Sequence, residues 1–353
     1  MATSRHNYPN QLAQPVPQHE RDSDAWHVER GRTIGASEIA QALGVSPYGG
    51  LLSLVQRKRD ALAGMVHRYD SEAMADGRDA EAFVLRMAAR RLGARMEDNG
   101  PLLMMDGEAI CEVHKDGTMG PLSATPDGVL VNERGTVVRT IEAKLDRSRS
   151  DWNEVAANGF AHLEAGDLRL AYFWQVQAQL RLTGCTQGYL VVWTGFATHL
   201  IEIVADASAH AAIDAAGAAA MAWVRDDAGR LPEASDADDL AAIARAVRPA
   251  SDATVEATEF VAAAMDAYVA LGKQIEDLES QRDVAKRTIL EAHNLGTKLV
   301  APSGARSAYL AGSVRNAIDT KRLQEEQPEI AARYTKTTTT AASCRVTFAK
   351  RKE

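Results

Sequence analysis

The sequence is short of cysteine, of long apolar runs and of positive charge, and each shortage excludes a class of protein. Its 353 residues hold three cysteines, Cys111, Cys185 and Cys344, far apart and with no C-x-x-C pair. That excludes a dense disulfide scaffold and gives no support for a structural zinc site or a cysteine-ligated iron–sulfur cluster. Such sparse cysteines fit a reducing cytoplasm. No run approaches the roughly 18 apolar residues of a membrane span, so no membrane partner is expected. The first 18 residues lack the apolar core of a secretory signal. A protein that coats nucleic acid indiscriminately is usually basic. This chain carries a net charge of −8, so any nucleic-acid surface must be a local positive field. The acidic excess suits solubility, or carboxylates held for metal ions.

What is present is a globular composition, 46% hydrophobic and 25% charged, with length for one large core plus an appendage. Residues 1–24 are polar and unpatterned and read as a mobile arm. Residues 33–62 read as two short helices, the first capped by Ser37 and ended by Gly44, the second opening at Ser46-Pro47 and closing in Gln56-Arg57-Lys58-Arg59. Residues 71–92 read as a longer helix on which Val84, Leu85, Ala88 and Leu92 form a stripe with Glu81 inside its arc. Residues 101–145 have strand texture, with a turn at 132–135. A helix over 168–182 and strands over 188–193 and 199–204 follow. The expected fold is α/β (α+β), a mixed central sheet flanked by helices over residues 25–205. Residues 206–353 read as an Ala-rich helical extension with a small mixed C-terminal region. Within it, residues 268–292 place Leu271, Ile275, Leu278, Ala285, Ile289 and Ala292 at 3–4 spacing, with Arg282 at one seam position. That pattern fits a helix packed on its own domain or an intermolecular coiled coil.

The chemistry concentrates in Thr125-Pro126-Asp127-Gly128 and Glu142-Ala143-Lys144. Side chains alternate along a strand, so Glu142 and Lys144 share a face. If residues 128–144 form a hairpin, Asp127 returns beside Glu142, and two carboxylates and an ammonium converge. Asp127 and Glu142 suit Mg²⁺, and the carbonyl of Ala143 can add a ligand. Lys144 can hold a water or stabilise charge on a scissile phosphate. A solvated hairpin with surface charges would contain the same residues. Two further features weigh against that blander origin. Glu81, on an apolar helix face, requires a metal or a charged partner. Gln175, on the helix after the sheet, can orient a water or a metal ligand.

Taken in order, these segments resemble the lambda-exonuclease-like, or YqaJ-type viral recombinase, branch of the PD-(D/E)XK nucleases. The resemblance runs through Trp26-His27-x-x-Arg30 to Thr33-x-x-x-Ser37, Gly44-Val45-Ser46-Pro47-Tyr48, Gly77-Arg78-Asp79-Ala80-Glu81, Thr125-Pro126-Asp127-Gly128, Glu142-Ala143-Lys144 and Tyr172-x-x-Gln175-Val176-Gln177. It implies a restriction-endonuclease-like core and a Mg²⁺-dependent deoxyribonuclease, with Mn²⁺ as a possible substitute. Asp127 and Glu142 become metal ligands, Lys144 the catalytic lysine, Glu81 an outer carboxylate and Gln175 a supporting group. Arg30, Ser37 and Thr125 fall where the family reads a DNA 5′-phosphate. A helix N-terminus at Ser37 and a bidentate guanidinium at Arg30 agree with that. The resemblance further implies 5′→3′ exonuclease action on double-stranded DNA ends in phage recombination and repair, inside a bacterial cytoplasm. It also implies a homo-oligomer, often a ring, and a single-strand annealing recombinase as partner. Arg57, Lys58, Arg59, Arg147 and Arg149 can line such a ring or simply face solvent. Asp116 is a further acidic position of the same kind. A structure-specific or restriction-like endonuclease and a non-catalytic DNA-binding scaffold are the alternatives.

Overall fold

A computed structural model describes residues 6–16, 19, 23–65, 71–94, 102–113, 119–147, 150–235, 238–240, 243, 254–303, 305–308 and 325–334. The chain divides into two compact units, Met1–Ala246 and Val247–Glu353.

The first unit is built on a five-stranded mixed sheet. Its strands are β3 (Leu102–Asp106), β6 (Gly128–Asn132), β7 (Val137–Leu145), β8 (Gln187–Trp193) and β9 (Thr198–Val204), in the order β3-β6-β7-β8-β9. All neighbours are antiparallel except β7 and β8. That parallel pair is joined by a helical crossover through α5 (Trp152–Asn158) and α6 (Leu168–Thr183), as parallel strands require. Alternation along the strands sorts two cores. On one face Leu130, Ile141, Ala143 and Val191 meet Val84, Leu85 and Ala88 of α4 (Glu72–Leu92). On the other, Val129, Val131, Leu190 and Val192 meet Val176 and Leu180 of α6. The α4 stripe is the one its 3–4 spacing predicts. Ser71 caps its start by accepting the Met74 N–H at 3.2 Å, and Gly93, at φ 62°, ends it.

A second sheet, ordered β1-β4-β5-β2, joins β1 (Ala13–Pro15), β4 (Ile110–Val113), β5 (Met119–Ala124) and β2 (Ile34–Gly35). β2 runs parallel to β5. Helices α1 (Asp24–Gly31), α2 (Ile39–Ala42), α3 (Leu51–Leu62) and α7 (Ala207–Val224) complete the unit.

Several local expectations differ from this structure. Residues 6–16, read as part of an arm, are held down: β1 pairs with β4, and Tyr8 is buried in the core. Ser37 caps no helix; it lies within a 3-10 turn, Ala36–Glu38, whose capping position is Gly35. The first of the two expected helices is the short α2, and the second, α3, begins at Leu51 rather than at Ser46-Pro47, because Gly49 takes φ 93°. α7 buries Ala209, Ile213, Ala220 and Met221 and belongs to the first unit, although its composition shift suggests an extension. Beyond it, residues 228–235 carry no helix.

In the second unit, α8 (Glu259–Ala292) spans 34 residues, capped by Thr258. A hairpin of β10 (Lys298–Val300) and β11 (Arg306–Ala308) follows. His293 ties them, its ring nitrogens lying 2.8 Å from the Gly296 carbonyl and 2.9 Å from Ser307 Oγ. The strand-like segment 343–348, the Thr-rich segment 335–340, Asp116 and Arg149 lie outside the described residues. Among the described residues, no helix is long and apolar enough to cross a membrane.

Candidate active site

The β6–β7 hairpin brings the charged motifs together. Gly128 pairs with Ile141, so Asp127 stands level with Glu142. Asp127 Oδ2 accepts the N–H of Ala143, the residue between Glu142 and Lys144, at 2.8 Å. Glu142 and Lys144 share the face turned toward α6, opposite to Ile141 and Ala143. Glu142 is buried, 1% exposed, and its carboxylate is fully engaged. Gln175 Nε2 donates to one oxygen at 2.6 Å and Gln179 Nε2 to the other at 2.5 Å. Lys144 Nζ also donates to Glu142 Oε1, and the ammonium lies 5.1 Å over the ring of Tyr172. Tyr172 stacks on buried Trp152, whose indole N–H donates to Asp146 at 2.5 Å.

The electrostatics follow from burial. Burial and the charge of Glu142 push the Asp127 carboxyl well above the usual range; Lys144 works against this, and Glu81 adds to it. Burial opposes the charge of Lys144, but Glu142 and Asp127 outweigh it and hold the ammonium protonated above its ordinary value. Burial pushes the Tyr172 phenol up to about 12. Glu81, expected to be a buried carboxylate in need of a partner, is instead half-buried at the edge of the α4 stripe and forms no ion pair among the described residues.

Among the described residues, no three His, Cys, Asp or Glu side chains form a metal cluster. The donor set is leaner: Asp127 and Glu142, with Glu81 close enough for its charge to act on Asp127. Hard divalent cations such as Mg²⁺ accept such a set, because water and substrate phosphate supply the remaining ligands. The raised Asp127 fits this, since a cation relieves the repulsion that burial and Glu142 impose on its ionised form.

The segments read as a 5′-phosphate pocket emerge at one end of a parallel strand pair. Gly35 registers with Ser123, so Ser37 and Thr125 each lie two residues beyond the last pair, and both are exposed. Thr33 Oγ1 donates to Ser123 Oγ at 2.7 Å just before them. Arg30 stands over Trp26 at 4.6 Å, with its guanidinium 3.9 Å from Glu38. Arg147 is committed elsewhere, in an ion pair with Asp76. Two of the basic residues read as a possible lumen are internal struts. Lys58 is buried and donates to the Arg30 carbonyl and to Glu38, and Arg59 donates to the carbonyls of Trp223 and Arg230.

Sequence reasoning missed two residues here. Gln179 is four residues after Gln175, one helical turn on, and that spacing could have placed it on the same carboxylate. Glu38, directly after Ser37, organises this turn by accepting from Gly35 N–H at 2.8 Å and from Lys58 at 2.5 Å. Burial works against its charge, but Lys58, Arg30 and Arg57 overcome this and lower it to about 2. Burial likewise brings Lys58 down to about 8, despite Glu38. Glu38→Gln keeps an acceptor for Gly35 but strands a buried ammonium. The expected cost is about 3–5 kcal/mol in a urea melt, with most of it recovered by adding Lys58→Met. The stabilising effect of Glu38 is complete above its unfolded pKa of 4.5 and fades as pH falls toward 2. Wild type and Glu38→Gln should therefore converge in stability as acid is added.

Gln177 of the Y-x-x-Q-x-Q segment is structural. It donates to the Val204 carbonyl at 2.8 Å and accepts from Asp206 N–H at 3.1 Å, which ties α6 to the end of β9.

Known proteins resemble the chain over part of its length. A family model described as the YqaJ-like viral recombinase domain matches residues 25–186. No curated protein matches the chain. Among solved structures, an alkaline exonuclease (LHK-Exo) from Laribacter hongkongensis in complex with dAMP is 17% identical. It covers 57% of this chain and 92% of its own, with a TM-score of 0.43. A phage-related exonuclease from Haemophilus somnus is 12% identical, covering 54% of this chain and 93% of its own, with a TM-score of 0.37. The matched residues contain three strands of the mixed sheet, β3, β6 and β7, together with the Asp127 turn, the Glu142-x-Lys144 strand and the α6 glutamines, and over this stretch the chain is similar to the YqaJ-like viral recombinase domain.

Proposed function

We propose that this phage-type DNA nuclease is a Mg²⁺-dependent exonuclease that acts on double-stranded DNA ends, in the 5′→3′ direction, to expose single strands for recombination by annealing. The observation that carries the reading is the convergence of Asp127, Glu142 and Lys144 on the β6–β7 hairpin in the middle of the sheet, locked by the Asp127–Ala143 bond. Asp127 and Glu142, with Glu81 and the Ala143 carbonyl behind them, would hold the ion. A bound Mg²⁺ (or Mn²⁺ in its place) supplies charge neutralisation at the scissile phosphate and an acidified water. Lys144 holds the attacking water or meets the negative charge that grows on phosphorus-bound oxygen as the P–O bond to the leaving strand breaks. Arg30, Ser37 and Thr125 would take the terminal 5′-phosphate, with Glu38 and Trp26 fixing the Arg30 guanidinium. Bacterial cytoplasm, a homo-oligomeric form around the DNA and a single-strand annealing partner belong to the same reading.

Gln179 would act as a positioning residue, through Glu142. Gln179→Leu should lower activity about 10–100-fold, and should raise the Mg²⁺ concentration needed for half-maximal rate. A merely structural role would leave that concentration unchanged.

Digestion of end-labelled linear duplex with Mg²⁺, and again with EDTA, tests the whole. Cleavage should require the metal, run faster on 5′-phosphorylated than on 5′-hydroxyl ends, and spare covalently closed circles. Equal rates at the two ends would remove the phosphate pocket. Cutting of closed circles would favour the endonuclease alternative.

A further inference from the structure

The 34 residues of α8 make a rod about 50 Å long, with no residue buried. Its apolar residues nevertheless keep a 3–4 alternation from end to end, interrupted at Arg282. One set of positions, called a, holds Val261, Tyr268, Ile275, Arg282 and Ile289, and the other, called d, holds Ala264, Leu271, Leu278, Ala285 and Ala292. The centre of this seam stands in solvent: Tyr268 is 60% exposed, Leu271 57%, Ile275 57% and Leu278 62%. Large apolar side chains at such exposure, repeated every 3.5 residues, call for a surface with the same repeat, which is another helix. Among the described residues, the next longest helix, α4, has 21 residues and already spends its stripe on the sheet.

We propose that α8 pairs in parallel and in register with α8 of a second copy of this chain, forming a two-stranded coiled coil. β-Branched residues at a (Val261, Ile275, Ile289) with leucine at d (Leu271, Leu278) favour two strands. The flanking positions suit a self-pair. In parallel register Gln274 faces Glu279 of the other helix and Gln281 faces Lys286, so no like charges meet along the flanks. In the seam Arg282 meets Arg282 of the other helix, and each brings its own counter-charge, since Arg282 lies 3.6 Å from Glu279 of the same helix. A single polar a position fixes register at some expense in stability. This inference is independent of the nuclease reading.

The test uses the full chain and light-scattering mass. Ile275→Glu with Leu278→Glu should halve the mass, whereas Val284→Glu, at an exposed position off the seam, should leave it unchanged. All five tryptophans lie between Trp26 and Trp223, so an unchanged fluorescence spectrum certifies the first unit in every variant. In a Cys344→Ser background the two remaining cysteines are buried. There Ala285→Cys should crosslink on oxidation, and Lys273→Cys, which points away from the seam, should not. A monomeric wild type, or a mass that survives the seam double variant, would overturn the proposal. Crosslinking that fails at Ala285→Cys would overturn the parallel register.

Discussion

Lys144→Ala should lower the rate of phosphodiester cleavage by about a hundredfold to a thousandfold, the range lost when one preorganised donor to a developing oxyanion is removed. The fold should survive. Glu142 would still accept from Gln175 and Gln179 at 2.6 and 2.5 Å, and the apolar contacts of β7 lie on its other face. What disappears is a fixed cation, held protonated by Glu142 and Asp127 against its burial and steadied over Tyr172. Arginine should not rescue it. A planar guanidinium cannot occupy the narrow position between the ring of Tyr172 and Glu142 as a compact ammonium does. Single-turnover digestion of linear duplex, with circular dichroism as the control, measures both halves of this expectation. A rate equal to wild type would take Lys144 out of the chemistry.

The parts of this site that the sequence made legible are those whose order in the chain equals their order in space. Asp127, Glu142 and Lys144 sit on one hairpin, so strand alternation and a tight turn sufficed to bring them together. The α4 stripe and the seam of α8 are periodic and local, and they too were readable. The misreadings have physical causes. β1 owes its place to a partner about 100 residues away, β4, and carries no pattern of its own. Lys58 looked like one member of a basic surface run, because its burial depends on Glu38, twenty residues earlier and on another element. Ser37 looked like a cap because serine before a helical stretch normally is one. The capping role falls to Gly35 because Glu38 folds back onto that glycine's N–H. The helical wheel puts Glu81 near the stripe, yet the residues of α4 that are buried are Val84, Leu85, Ala88 and Ala89, and Glu81 is left half exposed.

Asp127→Asn separates the two roles of this carboxylate, holding the hairpin and holding charge. The asparagine carbonyl oxygen can still accept the Ala143 N–H that Asp127 accepts at 2.8 Å, so the hairpin should keep its register. The negative charge, which burial and Glu142 disfavour, is gone. In metal-free buffer above neutral pH the variant should therefore melt higher than wild type, because it no longer forces two carboxylates together in a desolvated corner. Cleavage should nevertheless fall by at least about a hundredfold, comparable to the loss of an oxyanion donor. Added Mg²⁺ should reverse the order of stabilities. An ion that binds only the folded state raises its stability by RT ln(1 + [L]/Kd), which is about 2.7 kcal/mol at a hundred times Kd. Wild type should gain a Mg²⁺-dependent increase in Tm that the variant lacks. The crossing of two melting curves, one recorded in EDTA and one in Mg²⁺, is a signature that loss of packing alone would not produce. An equal Mg²⁺ response in both proteins would remove Asp127 from the ion's coordination, whatever had happened to activity.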